Sequence, residues 1–159
     1  MSPKQEFTCA NDFILRARNE GVPLPKTKLI KMLYFLHGHY LVRTGEALFS
    51  EKFLAYDYGP VLVSIYKRTK AYMVSLFMLR DPKLKDTYIT DEATEFGKTY
   101  VQIFDYVWNK YKGYTASELV ALTHAEGGPW QLARSRGDKY ISDDLIGRYF
   151  KGEQIWKAC

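Results

Sequence analysis

The stretch that decides the fold reads KTKLIKMLYFLHGHYLVR and covers residues 26–43. Apolar side chains recur in it at every third or fourth position, which is the repeat of one face of an α-helix. Phe35 and Leu41 widen this face almost to a full circle. Because a helix that is apolar on nearly every side is usually buried, we predict a central helix over residues 26–43, with the other elements packed around it.

Helical patterns also occur on both sides of this stretch. An apolar stripe predicts a helix over residues 5–19, and a second stripe, which includes Phe96, predicts another. The second helix is expected to begin at residues 90–92, where acidic side chains are favoured by the helix dipole, and to close at Gly113. For residues 73–91, which lie in between, we predict a helix followed by a loop.

Residues 46–58 have a different pattern from the helices around them. Two short aromatic segments, residues 48–49 and 53–56, are bounded by turn-forming or charged residues, which is typical of small strands. A Gly-Pro pair at 59–60 follows. Since proline is favoured in the first turn of a helix, we predict a third helix over residues 60–70.

Three short helices are predicted in the last third of the chain. Residues 115–118, TASE, form a capping box, in which the Thr and Glu side chains each satisfy a backbone N–H at the start of a helix. That helix is expected to stop at the glycines 127–128. A proline then opens a helix over residues 129–136, and the Ser-Asp-Asp sequence at 142–144 caps the last one.

The predicted fold is therefore mainly α: a single compact domain, residues 1–159, of about six to seven helices with a minor short β element between helices two and three. The length fits one domain. Hydrophobic residues make up 47% of the chain and charged residues 26%, which is enough apolar material for a packed core and excludes a disordered chain.

Charge, cysteine content and hydropathy limit the classes of function. The net charge is +5, and the Lys and Arg residues are spread along the chain, unlike the concentrated charge of most nucleic-acid binders. Cys9 and Cys159 form no disulfide framework, and residues 1–6 do not resemble a signal peptide, so we expect a cytoplasmic location. Apolar runs such as residues 73–79 are too short to span a bilayer, so we expect no membrane partner.

The three histidines do not suggest a metal centre or a catalytic site. His37 and His39 are two positions apart and point to different sides of a helix, so they cannot easily hold one ion. His124 lies near a helix end, where an imidazole can bond the last carbonyl groups. A general-base role for His124 with Glu126 lacks a nucleophile at a suitable spacing. We therefore predict a protein that is not an enzyme and has no metal and no cofactor.

Two basic clusters flank the Gly-Pro pair, each with a tyrosine nearby. They are Lys26, Lys28 and Lys31 with Tyr34, and Lys67, Arg68 and Lys70 with Tyr66. Lysine, arginine and tyrosine together can engage phosphates and stacked bases. A run of charges is also typical of a solvated helix face, and the pattern alone leaves both interpretations open.

Four motifs follow one another along the chain, KLIKMLYF at 28–35, YGPV at 58–61, LVALTH at 119–124 and PW at 129–130, and together they resemble the SocA-like (Panacea-type) antitoxin family. Residues 28–35, KLIKMLYF, resemble that family's KLxKLLYF helix. Residues 58–61, YGPV, with Tyr66 after them, resemble its YGPV…Y block. Residues 119–124, LVALTH, and the Pro-Trp pair at 129–130 resemble its LSxLTH…PW block. This chain departs from the family pattern at three positions: Tyr56 for Trp, Asp57 for a basic residue, and Val63 for Pro.

The resemblance implies an antitoxin from a bacterial or phage-associated genome, whose partner is a cognate toxin protein encoded nearby. Such antitoxins usually neutralise the toxin by direct contact. One relative resembles a protease adaptor, so protease machinery is a second partner that the resemblance suggests. The alternative function is a nucleic-acid-binding regulator of its own operon. The resemblance brings no catalytic residue with it.

We expect the partner to be bound by the second helix, the Gly-Pro turn and the aromatic residues near them. The predicted binding residues are Lys28, Lys31, Tyr34, Tyr56, Tyr58, Gly59, Pro60, Tyr66, Lys67, Arg68 and Trp130. Tyr and Trp lose little side-chain entropy on binding and often dominate contact energies. The alternative is that the YGPV and THxxxGGPW blocks serve only to fix the fold, because buried Gly, Pro and Trp often serve packing.

Overall fold

A computed structural model describes residues 3–69 and 94–152 of the chain. Within these ranges it has the following elements: α1 Pro3–Glu20, α2 Lys26–Thr44, β1 Phe53–Tyr56, β2 Gly59–Val61, α3 Val63–Arg68, α4 Glu95–Tyr111, α5 Ala116–Thr123, α6 Pro129–Ser135, β3 Tyr140–Ile141 and α7 Asp143–Phe150. The prediction of a mainly helical fold with a small β element is confirmed. No helix in the described ranges is both long enough and apolar enough to cross a membrane.

Helix α2 is the central element, as its nearly continuous apolar surface predicts. Twelve of its 19 residues are buried, and it contacts α1, α3, α4, α5, α7 and β2. Leu29, Met32 and Leu33 have no exposed surface. Burial of each such side chain stabilises the fold by roughly 1.5–3 kcal/mol. The other elements therefore pack around one helix that has few sides left for solvent.

Aromatic side chains join α1 to α4 and α7 to α2. The rings of Phe13 in α1 and Phe104 in α4 lie 4.5 Å apart, and Trp108 in α4 donates its indole N–H to Glu20 at 3.0 Å. The ring of Phe150 in α7 lies so close to Gly38 that it would overlap a Cβ at this position. Gly38 is therefore the position at which α7 approaches the α2 backbone.

The small sheet differs from the prediction in its second strand and in a third strand that was not predicted. The order is β2-β1-β3, and all pairs are antiparallel. Leu48 and Phe49, predicted as extended, belong to no strand; their side chains are buried in the core. The strand that pairs with β1 is Gly59–Val61, and Pro60 is tolerated in it because β2 lies at the edge of the sheet.

This pairing also corrects the predicted start of the third helix. Helix α3 begins at Val63 and not at Pro60, because residues 59–61 pair with β1 instead of forming a helical turn. The two-residue strand β3, which pairs with Phe53 and Leu54, is too short to give a periodic signal.

Most other helix boundaries agree with the sequence patterns. Helices α1 and α2 extend the predicted ranges by one or two residues at their ends, and Thr115 and Glu118 form the expected capping box. Ser142 caps α7 through the N–H of Leu145. Helix α5 ends at Thr123, short of the predicted glycines. The predictions for residues 73–91, for a helix start at 90–92 and for the end of the third helix at residue 70 lie outside the described residues.

Candidate binding groove at the Gly59-Pro60 hairpin

A groove of about 380 Å³ lies where the first turns of α2, the β1–β2 hairpin, α3 and α5 meet. We call it the hairpin groove. Its lining includes residues from all four elements: Lys26 and Lys31 of α2, Tyr56, Asp57 and Tyr58 of the hairpin, Tyr66 of α3 and Val120 of α5. The groove therefore gathers side chains that are up to 94 positions apart in the sequence, Lys26 to Val120.

The loop of the hairpin brings its backbone against α2 and α5. Asp57 and Tyr58 form the two-residue connection, since Tyr56 is paired with Gly59. Gly59 has φ 120°, a value that side-chain-bearing residues rarely adopt. A Cβ on Gly59 would lie 2.8 Å from Lys31 Cε and 2.9 Å from Thr123 Oγ1. Only glycine fits here. The backbone conformation and the close packing against α2 and α5 therefore explain the glycine of the YGPV motif.

Lys31 forms the buried basic side of the groove. Its side chain crosses from α2 to the hairpin, where the ammonium group donates a hydrogen bond to Pro60 O at 3.1 Å. Only 2% of the residue is exposed. Burial disfavours the charged form and lowers the pKa of Lys31 to about 8. Within residues 3–69 and 94–152, Pro60 O is the single acceptor of this ammonium group.

Tyrosines form the outer part of the groove. Tyr58 is 71% exposed, and Tyr56 and Tyr66 are each 41% exposed with ring centroids 6.0 Å apart. The ammonium group of Lys26 lies 3.6 Å from the centroid of the Tyr66 ring, a cation–π geometry that holds this ring in place. The groove thus combines solvent-exposed aromatic rings with two positive charges. Lys26 lies at its rim, and Lys31 is buried beneath it.

Trp130 and Arg134, both in α6, hold the hairpin in place through hydrogen bonds to β1. Trp130 donates its indole N–H to Tyr56 O at 2.7 Å, and Arg134 donates to Ala55 O at 3.1 Å. The guanidinium of Arg134 also pairs with Asp57 at 3.2 Å. These bonds satisfy backbone carbonyls of β1 outside the sheet, so they fix the position of the strand that carries Tyr56.

His124 supports Trp130 and does not bond the end of α5 as predicted. Its ring is stacked on the Trp130 ring, with centroids 3.8 Å apart and an interplanar angle of 5°. Its Nε2 atom is buried without a hydrogen-bond partner in the described part of the chain. The helix end is instead closed by the backbone N–H of His124, which donates to Val120 O and Ala121 O.

The predicted binding residues fall into two groups in the structure. The first surrounds the hairpin groove or supports it: Lys31, Tyr56, Tyr58, Gly59, Pro60, Tyr66 and Trp130. The second lies elsewhere: Lys28, Tyr34, Lys67 and Arg68 do not line it. Lys28 and Tyr34 are buried, which no solvated helix face would allow, whereas Lys67 and Arg68 are exposed on α3.

Each buried residue of the second group has its own structural role. The ammonium of Lys28 donates to Lys112 O, 2.6 Å away, at the end of α4. The Tyr34 ring packs edge-on against Phe53 and borders a second groove, of about 500 Å³. Sequence analysis missed Arg134, because no local pattern indicates that a helical arginine reaches a strand 79 residues away.

The histidines of α2 have separate partners. His37 Nε2 lies 2.9 Å from Asp143 Oδ1, and the His37 Nδ1 atom accepts from the Phe49 N–H at 3.4 Å. His39 Nε2 lies 2.9 Å from the Tyr111 hydroxyl, and burial lowers the pKa of His39 to about 4. No cluster of three or more His, Cys, Asp or Glu suited to a metal ion occurs in residues 3–69 and 94–152.

Comparison with known proteins connects this geometry to a family. The family model described as "Antitoxin SocA-like, Panacea domain" matches residues 29–131, a range that contains the hairpin, Lys31, Tyr66 and Trp130. The chain is also 31% identical to the protein named Antitoxin SocA from Caulobacter vibrioides (strain NA1000 / CB15N). That alignment spans 156 residues, 92% of this chain and 82% of the relative. No solved structure matches the chain.

Proposed function

Because this chain belongs to the family of SocA-like antitoxins with a Panacea domain, we propose that it neutralises a toxin protein by binding it directly at the hairpin groove. The binding is not catalytic: the antitoxin covers a surface of the toxin and forms no covalent bond with it. The toxin is encoded next to the antitoxin, and the two proteins meet in the cytoplasm.

The observation that carries the proposal is the exposure of three tyrosines around one braced hairpin. Tyr58, Tyr56 and Tyr66 offer large apolar faces with polar tips to solvent, within one groove. Such side chains gain contact area at a low cost in conformational entropy. A soluble protein has no packing reason to expose three of them together.

The rigidity of the backbone beneath these tyrosines supports the same proposal. Trp130 and Arg134 hold β1 on one side, and Lys31 holds Pro60 on the other. A surface that is already ordered before binding loses less entropy when the partner docks. The hairpin therefore suits recognition of a folded protein surface with little rearrangement.

The test has a cellular part and a purified part. Expression of the neighbouring reading frame alone should stop growth, and co-expression of this chain should restore it. In the purified pair, replacing both Tyr58 and Tyr66 by Ala should weaken binding about a thousandfold, because two aromatic anchors at an interface centre contribute about 2 kcal/mol each, about 4 kcal/mol together. Isothermal titration calorimetry measures the affinity.

Tyr106→Ala is the matched control. Tyr106 is 40% exposed and carries the guanidinium of Arg43 at 4.1 Å from its ring centroid, much as Tyr66 carries Lys26. Arg43 and Lys26 are at opposite ends of α2, about 25 Å apart along its axis. Tyr106→Ala should leave the affinity unchanged. Equal losses for both sets of variants, or no rescue of growth, would contradict the proposal.

Delivery of the toxin to a protease is a further outcome of the same contact. An adaptor shortens the lifetime of the toxin in the cell, whereas a simple inhibitor leaves it unchanged or lengthens it. The half-life of the toxin after synthesis is stopped, with the wild-type chain and with the Tyr58/Tyr66 double variant, distinguishes the two mechanisms.

Binding of nucleic acid has less support than binding of a protein. Lys28 and Lys31, two of the three lysines at the start of α2, are 5% and 2% exposed, and they cannot follow a phosphate backbone along the helix surface. We therefore expect no complex in a gel shift with the operon's own promoter DNA at low salt. A complex whose affinity falls steeply with salt would favour the alternative instead.

A further inference from the structure

Lys31 is a buried cation whose ammonium group has more N–H donors than the described part of the fold uses. An ammonium group has three N–H donors, and in the described part of the chain this one uses a single acceptor, Pro60 O. The residue is 98% buried, since only 2% of it is exposed. Burying a charge without an opposite charge beside it costs free energy. Lysine at this position is therefore a cost to stability that calls for another role.

The surroundings of Lys31 are suited to an anion. It borders the hairpin groove, and Lys26 adds a second positive charge at the rim. Asp57 is the acidic residue of the lining, and its carboxylate is paired with Arg134 at 3.2 Å. Because Gly59 has no Cβ, the Lys31 side chain can pass close to the hairpin backbone and reach the groove, which has a volume of about 380 Å³. The groove thus has room and positive charge beside an ammonium group that has donors to spare.

We propose that the hairpin groove receives an aspartate or glutamate side chain of the toxin, whose carboxylate accepts hydrogen bonds from the Lys31 ammonium group. This inference rests on the proposed function and names the chemistry of its partner. Tyr56, Tyr58 and Tyr66 cover the toxin segment that carries the acid, and they exclude water from the ion pair. A low local dielectric strengthens such a charge-assisted bond.

The chain contains a matched control for Lys31. Lys28 is a second buried lysine in the same helix, also bonded to a backbone carbonyl, that of Lys112. It does not line the hairpin groove. Lys28→Met and Lys31→Met remove the same charge and keep a similar apolar chain, so the comparison isolates the effect of position at the groove.

The first experiment measures the affinity of the full-length chain for its purified toxin by calorimetry at pH 7. Lys31→Met should weaken binding about tenfold to a hundredfold, which is typical for loss of a hydrogen bond to a charged group. Lys28→Met should change it less than threefold. Circular dichroism and the denaturation midpoint verify that both variants are folded.

The second experiment identifies the acid on the toxin. Each surface Asp or Glu of the toxin is replaced by Asn or Gln, and each variant is titrated with wild-type chain and with Lys31→Met. One acid variant should bind wild-type chain as weakly as wild-type toxin binds Lys31→Met, with little further loss when the two changes are combined. Additive losses for every acid would overturn the inference.

The pH dependence of the affinity distinguishes a direct contact from a structural role. If Lys31 only supported the fold, the affinity for the toxin would not fall as Lys31 loses its proton. Because the pKa of Lys31 in the free protein is about 8, affinity should fall about tenfold from pH 7 to pH 9 as the ammonium group loses its proton. Other titratable or charged groups face Lys31 across the groove: Lys26 of α2, Tyr56, Asp57 and Tyr58 of the hairpin, and Tyr66 of α3. Lys31→Met retains all of them and should show a flat profile.

Failure of this inference can be told from failure of the proposed function. If the wild-type chain does not bind the toxin, both the proposed function and the inference about Lys31 are wrong. If it binds, and Lys31→Met binds with wild-type affinity or keeps the same pH dependence, the tyrosine surface remains the binding site and only the carboxylate at Lys31 is excluded.

Discussion

Lys31 and Gly59 are the two residues whose physical properties most constrain the site. The Lys31 side chain passes through the space that the missing Cβ of Gly59 leaves open, and its ammonium group ends at Pro60 O. Neither residue can change without effect on the other. A charge and a glycine that are 28 positions apart thus form one structural unit between α2 and the hairpin.

The pH dependence of stability should reveal the buried lysine. In the unfolded chain Lys31 has its ordinary pKa, 10.5, and in the folded protein burial lowers it to about 8. Between these values the unfolded state binds more protons, so stability rises with pH. From pH 7 to pH 9.5 the wild type should gain about 2 kcal/mol relative to Lys31→Met in urea denaturation. A constant difference between the two proteins would contradict this prediction.

Gly59→Ala should destabilise the fold more than a glycine replacement at a helix end. Alanine at Gly59 would be strained at φ 120° and would also contact Lys31 and Thr123, for a total cost of about 2–4 kcal/mol. Gly45 has φ 76° with no atom near the added Cβ, so Gly45→Ala should cost about 1 kcal/mol. Thermal denaturation measures both, and equal costs would rule out crowding at Gly59.

Packing of α7 on α2 depends on a glycine in the middle of the central helix. Gly38 allows the Phe150 ring to lie against the α2 backbone, where the ring also packs on Tyr34 and Phe35. His37 joins the same two helices through Asp143, at the start of α7. The first and last turns of α7 are therefore both attached to α2.

Opposite effects are expected when the glycines of these two helices are replaced by alanine. In Gly38→Ala the new methyl group would displace the Phe150 ring, and overpacking should cost about 1–3 kcal/mol despite the better helix propensity of alanine. Gly147, within α7, has no neighbour for a Cβ, so Gly147→Ala should stabilise by up to about 1 kcal/mol. Denaturant titration gives the sign of each change, and the same sign for both would contradict the packing argument.

At the scale of the whole molecule, one core connects the elements. Residues from α1, α2, β1, α4 and α5 belong to the same cluster of buried side chains, and Trp130 of α6 packs against it. Elements that share a core cannot lose their contacts independently. We therefore expect the elements that carry the groove to unfold together.

We expect a single cooperative unfolding transition. In a Trp130→Phe, Trp156→Phe variant, the fluorescence of Trp108 reports on the contact between α1 and α4, and circular dichroism reports on all helices. Both signals should give the same midpoint in urea, as for a two-state domain. Separate midpoints would show that the helices around Trp108 unfold independently of the rest.

Much of the helical framework could be predicted from the sequence, because its signals are local. The periodicity of residues 26–43, the capping box at Thr115 and the cap at Ser142 each act within a few residues. The start of α3 could not be predicted in this way. Proline at position 60 favours a helix locally, but pairing of Gly59–Val61 with β1, which the local sequence does not indicate, takes precedence.

The candidate site could be predicted in part. The family motif and the aromatic residues indicated Tyr56, Tyr58 and Tyr66, which line one groove, although their role in binding stays a prediction. The burial of Lys28 and Tyr34 was not foreseen, because charge and periodicity do not tell how many sides of a helix its neighbours cover. Arg134 reaches the hairpin only through tertiary packing.

By itself the amino-acid sequence determined most of the helices that the structure describes, that α2 is central, and which family motifs the chain carries, since each of these depends on residue types at short spacing. Tertiary structure alone decided that Lys31 is buried beside Gly59, that Asp57 is paired with Arg134, and that three tyrosines line one groove. The physical reason is that burial and charge pairing depend on distances in space, between side chains that folding brings together from distant parts of the chain.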